Sequence, residues 1–159
     1  MEEIKALLEL ANRKLQTADH LTYVTYNLVK ENKLLIGIME NIYDSLVAGM
    51  DAILRYDRMY KRIPIYSKDI HTRIELFRLK SGPRYKFDVS QINLIEELRC
   101  VLAEHKNSPF ELSRDDKFIM FNVSFKANAL SIETIKKYIN QAKIFMSKVN
   151  KVFIDVRRQ

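Results

Sequence analysis

Residues 34–60, LLIGIMENIYDSLVAGMDAILRYDRMY, decide the fold of this chain. Their apolar side chains form two adjacent stripes on a helical projection, one from Leu35 to Ile53 and one from Ile36 to Leu54. A helix that is apolar over most of its circumference is buried among several neighbours. Acidic residues interrupt the run and argue against a membrane span, since each costs about 2.5–3.5 kcal/mol at the centre of a bilayer. We therefore expect the central helix of a bundle that has no membrane partner.

The composition is that of an ordinary globular protein. Hydrophobic residues make up 47% and charged residues 30% of the chain, which excludes an intrinsically disordered protein. A length of 159 residues predicts a single domain over residues 1–159. The lone Cys100 cannot form an internal disulfide, and the opening MEEIKALLELANRK lacks the apolar segment of a signal peptide. Both features favour a cytoplasmic location.

The segment before the central helix has its own helical pattern. Residues 2–31 contain no Gly or Pro and carry an apolar stripe, so we expect one long helix, bent near residues 17–19. Only the polar residues 31–33 separate it from the central helix, and so short a connection predicts antiparallel neighbours. Within the central helix, we expect Gly37 and Gly49 to let a neighbouring helix approach closely.

Proline and glycine mark the ends of the middle helices. The central helix is expected to end at Ile63 and Pro64, because proline disfavours helical geometry in the residue before it. Ser67 is the predicted N-cap of a shorter helix over residues 68–80. The sequence Ser-Gly-Pro at residues 81–83 predicts the end of that helix.

The second half of the chain includes one segment that departs from helical patterning. A capping-box pattern at residues 88–91 predicts a fourth helix that ends near Asn107. Aromatic and β-branched residues then concentrate at residues 110–112 and 118–125, which favours two short strands around a tight turn over an irregular loop. The predicted class is all-α: an up-and-down bundle of four or five helices with a small β-hairpin or irregular insertion near residues 110–126.

The motifs of several classes of enzyme are missing. Three glycines are too few for a phosphate-binding loop or a dinucleotide fingerprint. Asp57 and Asp69 flank a loop with no evident partner, and Cys100 beside an apolar stripe is interpreted as a small packing residue. The three histidines are His20, His71 and His105. No residues around them have the spacing of metal ligands, so we expect no metal site and no cofactor.

Basic residues indicate a possible anionic partner, as does the net charge of +7. Ser131 is the predicted cap of a last helix over residues 132–156, and five lysines lie opposite its apolar stripe. This lysine face consists of Lys136, Lys137, Lys143, Lys148 and Lys151. It is either a nucleic-acid interface or an ordinary solvated helix face, and no aromatic residues alternate with its lysines. A second basic cluster, Arg55, Arg58, Lys61 and Arg62, continues with Lys68 and Arg73 of the next helix and is at least as well suited to helix capping and ion pairing.

The order of these elements resembles the HEPN superfamily of helical bundles (higher eukaryotes and prokaryotes nucleotide-binding). Residues 6–55 carry the resemblance, through small residues in the first helix and the aliphatic second helix. The segments HTRIELFRLKSGPRYKFD and HKNSPFELSRDDKFIMF, at residues 71–88 and 105–121, are similar to uncharacterised archaeal proteins of this type. The resemblance implies a helical association or binding module, possible RNA or other nucleic-acid binding, a homodimer and a partner nucleotidyltransferase.

The resemblance also implies an alternative activity, that of a metal-independent endoribonuclease. The signature of such enzymes is an arginine, four to six residues, and a histidine, which Arg99 and His105 match. The histidine would act as acid and base on a ribose 2′-hydroxyl, and the arginine would stabilise the phosphate. Six positions of separation place the two side chains about 120° apart on an ideal helix. The non-catalytic binding module and the endoribonuclease are both carried forward as hypotheses.

The homodimer is also expected from the amount of apolar surface. One four-helix core buries one stripe per helix, so the second stripe of the central helix and the aromatic residues near Phe118 need other cover. The third helix and the hairpin are an internal source of that cover, and a second copy of the chain is an external one. We favour the second copy, with the fourth helix in the interface, so that Arg99 and His105 would approach their mates across the dimer axis.

Overall fold

The computed structural model describes residues 1–107, 110–114, 117–121 and 127–157. The helices are α1 (Glu2–His20), α2 (Tyr26–Val29), α3 (Leu34–Met59), α4 (Ile70–Leu76), α5 (Gly82–Arg84), α6 (Val89–Asn107) and α7 (Ile132–Arg157). Two π-helical turns, Leu21–Thr25 and Phe77–Ser81, join α1 to α2 and α4 to α5. The strands are β1 (Phe110–Arg114), β2 (Lys117–Phe121) and β3 (Ala127–Ser131). The predicted all-α bundle is confirmed.

The helix α3 is the centre of the bundle, as its two apolar stripes predict. It packs against α1, α6 and α7, and most of its apolar side chains are buried. Fully buried alanines on α1 let the two helices lie close, and the Ser45 hydroxyl of α3 donates a 2.7 Å hydrogen bond to the Ala11 carbonyl of α1. A Cβ at Gly49 would lie 2.7 Å from the Met146 sulfur of α7, whereas one at Gly37 would meet nothing within 4 Å. The close-approach prediction therefore holds for Gly49 and is wrong for Gly37.

The predicted first helix is interrupted at a different place from the expected bend. Residues 17–19 stay helical, and the irregularity is the π-helical turn that follows, where the Thr22 hydroxyl donates 2.8 Å to the Ala18 carbonyl. A π-turn widens the helix by one residue and leaves room for such a side-chain bond. The helix ends at Val29, because Lys30 has a left-handed φ of 49°.

The middle helices end differently from the prediction. The helix α3 stops at Met59, before Pro64, and Lys61 has a left-handed φ of 56°. The cap of α4 is Asp69, not Ser67: its carboxylate accepts a 2.9 Å bond from the Thr72 amide.

The Ser-Gly-Pro sequence does not end the third helix, contrary to expectation. The chain continues helically through the Phe77–Ser81 π-turn into α5, and Gly82 has a right-handed φ of −54°. Glycine is required there for space, because a Cβ would lie 2.8 Å from the Phe77 carbonyl and 2.9 Å from the Ile92 side chain. The chain turns instead at Lys86, whose φ is 60°.

A small antiparallel sheet follows α6, in the order β1-β2-β3. The hairpin of β1 and β2 confirms the predicted pairing, while β3 is an addition that the sequence pattern did not indicate. Residues 122–125 of the predicted second strand lie outside the described residues. Phe118 and Met120 of β2 are buried in the core. The Ser131 hydroxyl accepts a 3.3 Å bond from the Thr134 amide, which confirms the predicted cap of α7.

Candidate functional site

A buried carboxylate at the end of α3 gathers the polar side chains of the candidate site. Asp57 is fully buried, four residues after Ile53 on the apolar stripe of the helix. One carboxylate oxygen accepts bonds from the Tyr85 hydroxyl at 2.6 Å and from Arg62 at 3.5 Å. The other accepts bonds from the Ser81 hydroxyl at 2.6 Å and from Arg84 at 2.7 Å. A buried charge requires such partners, because an unpaired one is strongly destabilising.

Local backbone geometry explains why these four donors meet one carboxylate. The left-handed Lys61 reverses the chain after α3, and the Arg62 amide donates 2.8 Å to the Asp57 carbonyl. The remaining donors come from the continuous π-turn and α5 segment, which would have been cut short if the helix had ended at residue 81. Gly82 holds this segment against α6. The network therefore depends on two features that the sequence did not predict, the turn at Lys61 and the helical continuation through Gly82.

Tyr85 acts as a neutral donor in this network. Burial, and then the hydrogen bond to the Asp57 carboxylate, raises the pKa of the Tyr85 hydroxyl well above its usual value. Its hydroxyl also accepts a 3.2 Å bond from the Arg62 guanidinium. Tyr85 thus links the carboxylate to Arg62 and fixes the position of that guanidinium.

A cleft of about 620 Å³ opens directly over the network, between the α3–α5 region and the last turns of α7. We call it the basic cleft. Five cationic side chains line it. The exposed carboxylate of Asp155 and an apolar patch formed by Val152 and Val156 also line it. The cationic residues are Arg62, Arg84, Lys86, Lys148 and Lys151.

The predicted lysine face divides between two sides of α7. Lys148 and Lys151 reach the basic cleft, where Lys148 donates 2.8 Å to the Lys86 carbonyl. Lys143 instead forms a 2.6 Å ion pair with Asp19 of α1. Lys137 is exposed and does not line the cleft.

Aromatic rings from other parts of the chain accompany the lysines, although none alternates with them along α7. The ammonium groups of Lys136 and Lys143 lie 5.5 and 5.6 Å from the Tyr23 ring centre, and that of Lys148 lies 5.8 Å from the Phe87 ring centre. Tyr23 belongs to the π-turn after α1 and Phe87 to the connection between α5 and α6, so the pattern of α7 alone does not reveal them. Such distances are typical of cation–π contacts.

The predicted catalytic pair, Arg99 and His105, lies on α6 but engages different groups. The Arg99 Nε lies 2.9 Å from one Glu96 oxygen. The His105 Nδ1 lies 2.7 Å from a Glu111 oxygen of β1, and its ring is 6.2 Å from that of Phe118. Among the described residues no hydrogen bond or ion pair joins the two side chains, in keeping with their separation around the helix.

A different histidine, His71, shares a carboxylate with Arg99. His71 Nδ1 lies 3.8 Å from the second oxygen of Glu96, the carboxylate that holds Arg99. Cys100, next to Arg99, is exposed, so its interpretation as a packing residue is wrong.

The second basic cluster is used partly for ion pairs, as one of its two interpretations expected. Arg55 pairs with Glu3 at 2.7 Å, and Arg73 pairs with Asp51. Arg62 belongs to the Asp57 network.

The expectation that Asp57 has no partner is wrong. The sequence signal for this site is the Asp57 carboxylate on the buried stripe of a helix. Its partners Ser81, Arg84 and Tyr85 follow 24–28 residues later, and no recognisable spacing relates them to Asp57.

No group of three His, Cys, Asp or Glu side chains able to hold a metal ion occurs in the described part of the chain. In the same residues, no helix is both long and apolar enough to cross a membrane.

Comparison with protein-family models gives no match, and comparison with curated protein sequences gives none either.

Proposed function

We propose that this chain is a non-catalytic helical binding module that holds the phosphate backbone of a nucleic acid in the basic cleft. The observation that carries the proposal is the clamp formed by Asp57, which fixes two guanidiniums at the floor of a cleft that also holds three lysines. Guanidinium and ammonium groups are the usual partners of phosphate oxygens.

The guanidiniums keep donors for a ligand. Arg62 and Arg84 each commit one terminal nitrogen, Nη1, to the Asp57 network. Both side chains are more than a third exposed, so the other nitrogens are accessible from the cleft. A guanidinium carries five N–H donors, and one held in place loses less conformational entropy when it binds a phosphate. The Asp57 network therefore prepares the cleft for an anion.

The binding interpretation is preferred to the endoribonuclease because of what Arg99 and His105 contact. Each is engaged with its own carboxylate, whereas the catalytic hypothesis requires them to act on one phosphate. Cleavage of RNA in the presence of EDTA, lost in His105→Ala, would favour the endoribonuclease. Binding of RNA without shortening of the strand would favour the module.

A matched pair of lysine variants tests the proposal. Lys151 and Lys137 are both exposed lysines of α7, but only Lys151 lines the basic cleft. In fluorescence anisotropy with a labelled oligonucleotide, Lys151→Gln should weaken binding about three- to tenfold and reduce its salt dependence. Lys137→Gln should leave binding within about twofold of the wild type. Equal losses in both variants, or no binding by the wild type, would contradict the proposed site.

The partner proteins also remain proposals. A nucleotidyltransferase partner follows from the resemblance alone. An exposed apolar group supports the proposal of a homodimer. It consists of Val24 in the π-turn and Leu28 and Val29 in α2. Leu28 is 80% exposed, and Val24 lies one helical turn before it, so the three side chains extend the apolar surface beyond a single residue.

A further inference from the structure

An aromatic pair stands beside Arg62, close to the basic cleft. The rings of Tyr56 and Tyr60, one helical turn apart, have centres 4.9 Å apart. The Arg62 guanidinium carbon lies 5.4 Å from the Tyr56 ring centre and 5.1 Å from that of Tyr60. Tyr56 also packs edge-on against Phe153 of α7, with ring centres 5.5 Å apart. The pair is thus anchored to the bundle on its inner side.

The outer member of the pair is open to solvent. Tyr56 is 5% exposed and Tyr60 is 53% exposed, so the inner ring supports the outer one. Large aromatic rings contribute most when their surface is removed from water, and an exposed ring beside cations is a common feature of nucleic-acid sites. Tyr60 therefore presents free aromatic surface next to the phosphate-binding cations.

Arg62 connects this ring to the cleft. Its Nη1 is held by Asp57 and by the Tyr85 hydroxyl, so the plane of the guanidinium is constrained. A planar guanidinium offers a face for stacking as well as edges for hydrogen bonds, and bases stack on both arginine and tyrosine. One residue therefore contributes to a phosphate site and to an adjoining stacking surface.

We propose that Tyr60 and Arg62 form a base-stacking subsite, so that the ligand of the basic cleft is a single-stranded nucleic acid. The inference rests on the proposed function, because the phosphates of the same strand would occupy the cleft. A duplex buries the faces of its bases in its own stack, and only an unpaired base offers a face to a protein ring. A cleft of about 620 Å³ has the size of a small-ligand pocket, enough for a short segment of one strand.

The experiment separates the bases from the backbone. Three labelled probes are compared at one salt concentration: a single strand, the same strand with abasic sites at its centre, and the corresponding duplex. The inference predicts that the abasic strand and the duplex each bind about tenfold more weakly than the intact strand. Equal binding of the intact and abasic strands would overturn the stacking subsite and leave the proposed function in place. Failure of every probe to bind would overturn both.

A pair of tyrosine variants locates the subsite. Tyr60→Leu keeps an apolar side chain but removes the ring, and it should weaken binding of the intact strand about tenfold without affecting the abasic strand. Tyr23→Leu is the matched control, because Tyr23 is 40% exposed beside Lys136 and Lys143 but lies away from the cleft. Unchanged far-UV circular dichroism and melting temperature establish that both variants fold. A loss in Tyr23→Leu with none in Tyr60→Leu would overturn the assignment.

Discussion

At the scale of single residues, Asp57 has the largest influence on the candidate site. Its carboxylate is fully buried and holds side chains from two later segments of the chain. Such a group stabilises the fold only while its partners stay in place, since burying a charge is costly. Structure and ligand binding are therefore connected through one side chain.

The substitution Asp57→Asn tests this connection. It should lower the free energy of unfolding by about 2–3 kcal/mol, less than the 3–5 kcal/mol of a fully buried pair, because the two arginines keep access to water. It should also weaken oligonucleotide binding, although it removes a negative charge from the cleft. Chemical denaturation and anisotropy measure the two effects.

The control for this variant is Asp44→Asn. Asp44 lies on the same helix and pairs with Lys14 at 3.2 Å, but its side chain is 48% exposed. Loss of an exposed pair changes stability by less than about 1 kcal/mol. If Asp57→Asn were no more destabilising than Asp44→Asn, or if it bound the oligonucleotide more tightly, the clamp would be ruled out.

At the scale of elements, the long helices were predictable and the short departures from them were not. Apolar periodicity identifies α6 and α7 because each buries one side over many turns, and it identifies α3 because two adjacent stripes are both buried. Each π-turn is one wider turn with an extra residue inside a helical segment, and apolar periodicity over a long window does not detect so local a change. The sequence at residues 81–83 predicts a helix end because glycine and proline usually mark one, whereas here Gly82 serves close packing.

The two glycines of α3 give a test of helix packing. Gly49→Ala should be about 1–2 kcal/mol less favourable than Gly37→Ala, because its new methyl group would lie 2.7 Å from the Met146 sulfur and that buried side chain would have to move. Gly37→Ala should stabilise the protein by about 0.5–1 kcal/mol, because the added methyl meets nothing within 4 Å and alanine favours the helix. Thermal and urea unfolding of both variants measure this difference. Equal effects of the two substitutions would show that this account of α3 against α7 is incorrect.

At the scale of the whole molecule, much of the apolar surface that suggested a dimer is covered within the chain. Ile36 and Leu54 of the second stripe are buried, and so are Phe118 and Met120 of β2. The sequence shows how much apolar surface exists, but the location of its cover depends on contacts between distant segments. For example, the Asn32 side chain, before α3, donates 3.3 Å to the Lys117 carbonyl of β2.

The homodimer prediction is tested through the apolar residues that stay exposed. The mass of one chain is 18.8 kDa, and sedimentation should give about twice that value at micromolar concentration. Leu28→Lys should return the mass to that of one chain, since a charge cannot be buried cheaply in a small apolar interface. Leu79→Lys, at another exposed leucine, should not. A wild-type mass near 18.8 kDa would show that the exposed group on α2 does not pair.

The central claim, that the basic cleft holds a nucleic acid strand, is tested most directly by mapping the ligand onto the chain. The measurement is a titration of the ¹⁵N-labelled protein with a short single-stranded oligonucleotide, followed by amide chemical shifts in NMR spectra. The account predicts that the largest changes cluster at Arg62, Arg84, Lys86, Lys148 and Lys151, around the cleft. Changes centred on Arg99 and His105, or on Tyr23 and Lys136, with none at the cleft, would contradict it.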